Sequence, residues 1–459
     1  MAILTPSSGC VCGNIEPRCE ENKITTLPTT PTDKAKSTNP DYKSVIQEYS
    51  DGLENPQQIN QKSEECQSDD NHLFGKLPHD LLYSLLAPLS CKEHARLRAI
   101  SADLKRVVDS EEFRDYRKQN GRLEPRILVV AQKAGTLEGN SPKGRFKAYL
   151  PTHDKWLDVT PIPASTVDGA SMDFEGSACV GLGSCFYVLG GRRWPANNSS
   201  GQATTCGDVW KYDATLDRWT SCEEMKPPRS WFAAAAIGKK IYVAGGQTTK
   251  DFLELAQVYD TEENKWEDLP HNLTHQRLGC QGVSFENQFW VIGGQFVKHV
   301  TADNDDFQSV YAEVYNPVTK SWRLVSQTLG HPDQAGWNPE GSREMEGPVV
   351  VAAGKLLCLQ DKKIWWYDQG TTQWHQVGDG PAGVGSGFVS VGTQIFRIGG
   401  ESSYYRPAVT TLDKLDVCDV QELEGVMGDD RTYTPLVWKP ALAMGYEHGA
   451  ILGTGVVLV

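Results

Sequence analysis

The chain has 459 residues, with 45 Lys and Arg against 59 Asp and Glu, a formal charge of -14. It is long enough for two or three domains, and its acidity disfavours a broad phosphate-neutralising surface, so neither nucleic acid nor a membrane is expected as partner. No apolar run reaches the length of a membrane-spanning helix, and the first residues, MAILTPSSGCVCGN, lack the basic-then-apolar order of a secretory signal. Twelve Cys are scattered, with Cys10 and Cys12 as the one close pair. They read as reduced thiols of a cytoplasmic or nuclear protein, and on that reading the Asn197 and Asn272 glycosylation patterns carry no weight.

Residues 1–72 are rich in Ser, Thr, Pro, Asn, Gln, Glu and Lys and poor in aromatics. Such a segment cannot bury enough apolar surface to offset its ordering entropy, and a disordered tail is predicted. Residues 73–119 are helical in pattern. Leu77-Pro78 leads into DLLYSLLAPL, apolar at spacings of three and four. Pro78 suits a first helical turn, and Pro88 should end or kink that helix. Ser90 or Cys91 can open a second helix, CKEHARLRAISADLKRVVDS, with an apolar stripe at Ala95, Leu97, Ile100, Leu104, Val107 and Val108. Ser110 is a candidate N-cap for a last turn through Phe113.

A domain this small covers its own apolar surface poorly, which suits a protein partner. The Leu77-Pro78-x-Asp80-Leu81-Leu82 opening, the internal Leu97-Arg98-x-Ile100 and the closing Val107 with Ser110-x-x-Phe113 resemble an F-box. The resemblance implies that Leu77, Pro78, Leu81, Leu82, Leu85, Leu97, Ile100 and Phe113 dock a Skp-family adaptor and, through it, a cullin. The sequence departs from the family at Asp103-Leu104-Lys105-Arg106, where a Cys-Lys-x-Trp-like stretch is usual. The alternative is a helical cap packed on the next domain.

From about residue 126 the chain reads as short strands. Tyr-x6-Trp recurs at Tyr149/Trp156, Tyr212/Trp219, Tyr259/Trp266, Tyr315/Trp322 and Tyr367/Trp374. In the clearest copy, Trp231–Ala236 is one strand, Gly238-Lys239-Lys240 a turn, and Ile241–Ala244 a second strand ending at Gly245-Gly246. Two more strands follow, to Tyr259 and from Trp266. Glycine doublets also stand at Gly190-Gly191, Gly293-Gly294 and Gly399-Gly400.

Four strands in a unit of roughly fifty residues, with Gly-Gly and then spaced Tyr and Trp, resemble kelch repeats. The expected fold is mainly β: a six-bladed kelch β-propeller over 126–459, preceded by the small α-helical F-box-like domain. The first blade lacks an inner strand, and the C-terminal GAILGTGVVLV is expected to supply it and close the ring.

Each Tyr and Trp of the repeat is read as framework. The loops after the doublets and between blades share one face, which carries ligand in the family. There the sequence places Arg192, Trp194, Arg229, Arg277, Phe296, Trp337, Arg343, Tyr404, Tyr405 and Arg406, a composition of Arg and aromatics that suits a protein target with acidic or phosphorylated segments. His271 and His275 have metal-like spacing only on a helix, and none is expected there. No P-loop, Gly-x-Ser-x-Gly, His-Glu-x-x-His or kinase set is present, and no cofactor or metal is expected.

The resemblances imply a non-catalytic substrate receptor of a Skp–cullin–F-box ubiquitin ligase, of the plant type. The alternatives are a kelch scaffold without a ligase role and, as copper-containing kelch-like propellers exist, a metal-dependent enzyme.

Overall fold

The computed structural model describes residues 77–133, 145–163, 171–194, 203–296, 312–325, 348–360, 363–380, 387–399, 414–421, 436–444 and 449–459. The expectations for the 1–72 tail and for Trp337, Arg343, Tyr404, Tyr405 and Arg406 lie outside these residues.

Four helices are described: α1 (His79–Leu86), α2 (Cys91–Ile100), α3 (Ala102–Asp109) and α4 (Glu111–Gln119). Serines start three of them. The Ser90 hydroxyl accepts from Glu93 N–H while the Glu93 carboxylate accepts from Ser90 N–H at 2.7 Å, a reciprocal capping box. Ser110 caps α4 by accepting from Phe113 N–H at 3.2 Å. The single helix expected from residue 91 is in fact two. Ser101 is extended (φ -149°, ψ 128°) and accepts from Leu104 N–H, so it stops α2 and caps α3. A serine's side chain competes with the helical backbone for donors, and here it turned the chain.

The strands form six four-stranded antiparallel sheets. From inside outward, blade 2 is Ala178–Leu182, Cys185–Leu189, Val209–Asp213 and Arg218–Ser221; blade 3 is Ala233–Ile237, Lys240–Ala244, Ala256–Asp260 and Lys265–Asp268. Blade 4 is Gln281–Phe285, Gln288–Ile292, Ala312–Asn316 and Ser321–Val325; blade 5 is Val349–Ala352, Lys355–Gln360, Lys363–Asp368 and Gln373–Asp379. Blade 6 is Gly387–Val391, Gln394–Ile398, Leu415–Asp419 and Lys439–Pro440. In blade 1 the innermost strand is the C-terminal Gly449–Leu458, paired with Pro125–Lys133, then Arg145–Leu150 and Lys155–Asp158. Each innermost strand contacts the next around a closed ring. The expected C-terminal closure is therefore what the fold uses.

One strand boundary differs from expectation. Trp231 and Phe232 precede the innermost strand of blade 3, which starts at Ala233; Trp231 has φ +52° and cannot lie in a pleat.

Each repeat Tyr faces its Trp directly across the outer hairpin, with ring centroids 5.0–5.3 Å apart. The apolar cores lie between blades: Tyr259, for example, packs with Tyr187, Leu189 and Met225 of blade 2 and its connection.

Candidate interaction faces

Strand direction divides the propeller into two faces. Hairpin turns such as Gly183-Ser184 and Gly238-Lys239 lie on one. The connections after the glycine doublets and between blades lie on the other, here called the loop face. Pro125 and Val459 are both on the hairpin side, joined by two backbone bonds between Glu124 and Val459 at 2.8 and 3.0 Å. The helices therefore sit on the hairpin face. Cys91 packs in one apolar cluster with Leu128, Val457 and Val459 of blade 1. The buried Arg117 of α4 donates to Arg122 O at 2.6 Å and points Nη1 at Cys91 Sγ, 3.9 Å away. Glu111 lies 4.0 Å from Lys239 of blade 3.

The helical residues expected at an adaptor divide into two groups. Leu82 and Phe113 are buried with Leu86, Leu104 and Val108 and form the domain's own core, so they are corrected from contact residues to support. Leu77 and Leu97 are half-buried against that core. Pro78 is exposed, and three large apolar side chains point outward: Leu81 is 48%, Leu85 58% and Ile100 75% exposed. Their helices have polar alternatives at other exposed positions, so this apolar surface is a feature of the domain and not a shortage of polar residues.

On the loop face, the connections are built as a second tier of small sheets. Ser171–Asp173 pairs with Arg192–Trp194, which pairs with Thr204–Thr205. Arg277–Leu278 pairs with Gln295–Phe296, and Ser230 bridges to Gln247. Thus Arg192, Trp194 and Phe296 stand on the loop face in short strands, where loose loops were expected.

Arg229 and Arg277 are not available to a partner. Both side chains are fully buried. Each precedes an innermost strand by the same distance and folds back under its own blade's glycine doublet. Arg229 donates to the carbonyls of Gly245 and Leu255 and to Gln257 Oε1 at 2.8 Å. Arg277 donates to Gly293 O at 2.9 Å and to Glu313 Oε1 at 3.0 Å. The doublets return the bond on the other side: Gly191 N–H donates to Arg229 O and Gly246 N–H to Arg277 O. Burial pushes the Arg229 guanidinium down to about 10 and lowers that of Arg277. These arginines are framework, corrected from the surface role that their flanking loops suggested.

The sequence reading missed Trp231. It lies on the loop face, half-buried, with the Arg192 guanidinium stacked on its ring at 4.2 Å. Phe252, 36% exposed, stands on the same face in the connection after Gly245-Gly246. Arg193, beside Arg192, is ion-paired to Asp208.

His271 and His275 lie in an interblade connection, where His271 offers its carbonyl to Trp322 Nε1 at 2.8 Å. Among the described residues, no cluster of three His, Cys, Asp or Glu could hold a metal, and the eight described cysteines are free thiols. No described helix is long and apolar enough to cross a membrane.

The fold and its two faces define a six-bladed propeller whose loop face stands opposite a helical domain with an exposed apolar surface. Residues 162–338 match the family model of the KLHDC2/KLHL20/DRC7 Kelch-repeats domain. An F-box/kelch-repeat protein of Arabidopsis thaliana is 26% identical over 369 residues, 75% of this chain and 88% of that protein. The F-box/kelch-repeat protein SKIP30 of the same plant is 24% identical over 388 residues, 83% of this chain and 96% of that protein. The spermatocyte protein spe-26 of Caenorhabditis elegans is 31% identical over 222 residues, 45% of this chain and 33% of that protein. Over most of its length the chain is thus similar to the F-box/kelch-repeat proteins of plants.

Proposed function

We propose that this protein is the substrate-recognition subunit of a Skp–cullin–F-box ubiquitin ligase. Its helical domain binds a Skp-family adaptor, and through it a cullin, while the loop face of the propeller holds the protein to be modified. The receptor performs no bond chemistry itself. It raises the effective concentration of its target near a ubiquitin-loaded enzyme, in the cytoplasm or the nucleus.

The observation that carries this reading is the exposure of Leu81, Leu85 and Ile100 on helices whose own core is already filled by Leu82, Leu86, Leu104 and Phe113. Adaptor and target would then bind opposite faces, so neither blocks the other. The test is capture of a purified plant Skp adaptor by the full chain and by Leu81→Ala/Leu85→Ala. Both side chains are exposed, so the variant keeps its fold. Capture by the wild type and its loss in the variant are expected. An adaptor that fails to bind the wild type removes the ligase role and leaves a propeller scaffold.

A further inference from the structure

Just ahead of the innermost strands of blades 2, 3 and 4, the chain passes through Gly176, Trp231 and Gly279. These are equivalent positions, each two residues before Ala178, Ala233 and Gln281. They are linked across the loop face: Trp231 N–H donates to Gly176 O at 2.7 Å, and Gly279 N–H donates to Trp231 O at 2.9 Å. All three have left-handed backbones, with φ of +71°, +52° and +73°. Glycine adopts this conformation without steric penalty, whereas a bulky side chain is strained in it. By sequence, Gly347 and Gly385 hold the same place before Val349 and Gly387 of blades 5 and 6. A tryptophan therefore stands where four other blades have glycine.

The indole has a definite surrounding. A Cβ added to Gly176 would lie 3.0 Å from Trp231 Cδ2, so that glycine lets the ring lie against the neighbouring backbone. The guanidinium of Arg192 lies over the ring, its Cζ 4.2 Å from the centroid. Trp231 thus gives Arg192 a flat seat. Arg193, Arg229 and Arg277 are turned to acceptors within the protein. Arg192 instead has Glu175 at 3.9 Å from Nη1, an ion pair too long for a hydrogen bond. An arginine held over an aromatic face can still offer its forked N–H donors, which receive a carboxylate or phosphate bidentately.

We propose that Arg192, seated on Trp231, is the anion-recognising point of the loop face, and that it selects targets presenting an acidic or phosphorylated side chain in an exposed peptide segment. This rests on the receptor reading and names the chemistry of its target. Arg192 contacts the anion; Trp231 is a positioning residue.

The test uses the full chain purified with its Skp adaptor. The probes are four fluorescein-labelled eight-residue peptide pools, random except for one central residue fixed as Glu, phosphoserine, Gln or Lys. Retention of the Glu or phosphoserine pool at least about tenfold above the Gln and Lys pools is expected, as for a charge-assisted pair. Which of the two is retained more distinguishes carboxylate from phosphate. Arg192→Ala should abolish the preference, and Arg192→Lys, which keeps the charge but not the fork, should reduce it. Trp231→Gly should also abolish it while keeping the melting temperature, because glycine suits the backbone there. Equal retention of all pools, or an unchanged preference in Arg192→Ala, overturns the proposal. A Trp231→Gly protein that melts earlier yet keeps the preference gives Trp231 a structural role alone and overturns its part. Adaptor capture in the same preparation shows separately whether the receptor reading stands.

Discussion

Trp266 and Asn264 of blade 3 hold opposite ends of one residue in the connection that leaves the preceding blade. Trp266 Nε1 donates to the Glu223 carbonyl at 2.9 Å, and Asn264 Oδ1 accepts from Glu223 N–H at 2.9 Å. The same oxygen accepts the Tyr259 hydroxyl at 2.6 Å, so the repeat Tyr fixes the side chain that grips the neighbour. Blade 2 repeats this with Tyr212, Asp217 and Trp219 on Thr160, and blade 1 with Tyr149, Asp154 and Trp156 on Leu442. In every case the gripping residue is left-handed, with φ of 45° to 53°, a conformation that Asp and Asn tolerate better than other side chains. Blades 4 and 5 have Lys320 and Thr372 there, also at positive φ. Trp322 still reaches His271 O, but a lysine has no oxygen to accept the amide.

The first prediction installs the missing half. Lys320→Asn should place an acceptor between Tyr315 and the His271 segment and ease the left-handed backbone. A gain of about 0.5–1.5 kcal/mol is expected, the net worth of a hydrogen bond. The converse change, Asn264→Ala, should lose about 1–2 kcal/mol, because the Glu223 amide and Tyr259 hydroxyl lose their partner. Urea unfolding of both proteins checks this, and a Lys320→Asn protein no more stable than wild type removes the account.

How far these features could be read from the sequence follows from what repeats. The Tyr-x6-Trp period was visible because cross-strand pairing depends on residues a few positions apart. The acceptors Glu223, Thr160 and Leu442 were hidden, since a backbone carbonyl has no sequence signature. The gripping Asp or Asn, always five residues after the Tyr, was visible and went unread. Arg229 and Arg277 were misplaced for a related reason. Both stand four residues before an innermost strand, and recurrence at equivalent positions marks framework, while the loops around them suggested a surface. Trp231 carried the opposite signal, a departure from glycine, and was lost by extending its strand two residues too early.

The second prediction concerns acid. Asp154 is held below the usual carboxylate value, first by the Tyr149 hydroxyl and then by Leu442 N–H. A carboxyl lowered by folding stabilises the folded state fully above its unfolded value near 3.8, and that contribution is lost as pH falls through the lower folded value. Asp154→Asn keeps an acceptor, as blade 3 does with Asn264, but no titrating group. The variant should melt below wild type at neutral pH, with the gap closing as the pH falls below about 4. Melting temperatures of the pair across the acid range provide the check, and a gap that stays constant counts against the linkage.

A third prediction separates buried from exposed arginine. Arg277 and Glu313 are both fully buried and bonded to each other, and Glu313 Oε2 also accepts from the Thr274 amide and hydroxyl at 2.7 Å. Arg277→Met leaves that carboxylate without its cation and should cost about 3–5 kcal/mol. Arg277→Met/Glu313→Leu should cost less than the single change, since an apolar pair leaves no uncompensated charge. Arg192→Ala, on the surface, should change stability by less than about 0.5–1 kcal/mol. Denaturant unfolding of the three proteins decides whether the arginines divide this way. Equal losses for Arg277→Met and Arg192→Ala would contradict the burial.

The last prediction tests the ring closure on which both faces depend. The closing strand Gly449–Leu458 lies so close to the innermost strand of blade 2 that a Cβ on Gly181 would stand 1.8 Å from Val456 O. A backbone carbonyl in a paired strand cannot move aside as a side-chain tip can. Gly181→Ala must therefore push the closing strand away from its neighbour. Gly183, two residues on, has φ +58° in the open hairpin turn with no atom within 4 Å of an added Cβ, so Gly183→Ala costs only the local strain, about 1–2 kcal/mol. Hydrogen exchange should show faster opening of residues 449–458 and 125–133 in Gly181→Ala and little change there in Gly183→Ala. The Glu124–Val459 bonds join the helical domain to that same strand, so loosening it should also weaken the seat of the four helices. Equal protection of the closing strand in the two variants would mean that the contact at Val456 does not limit closure.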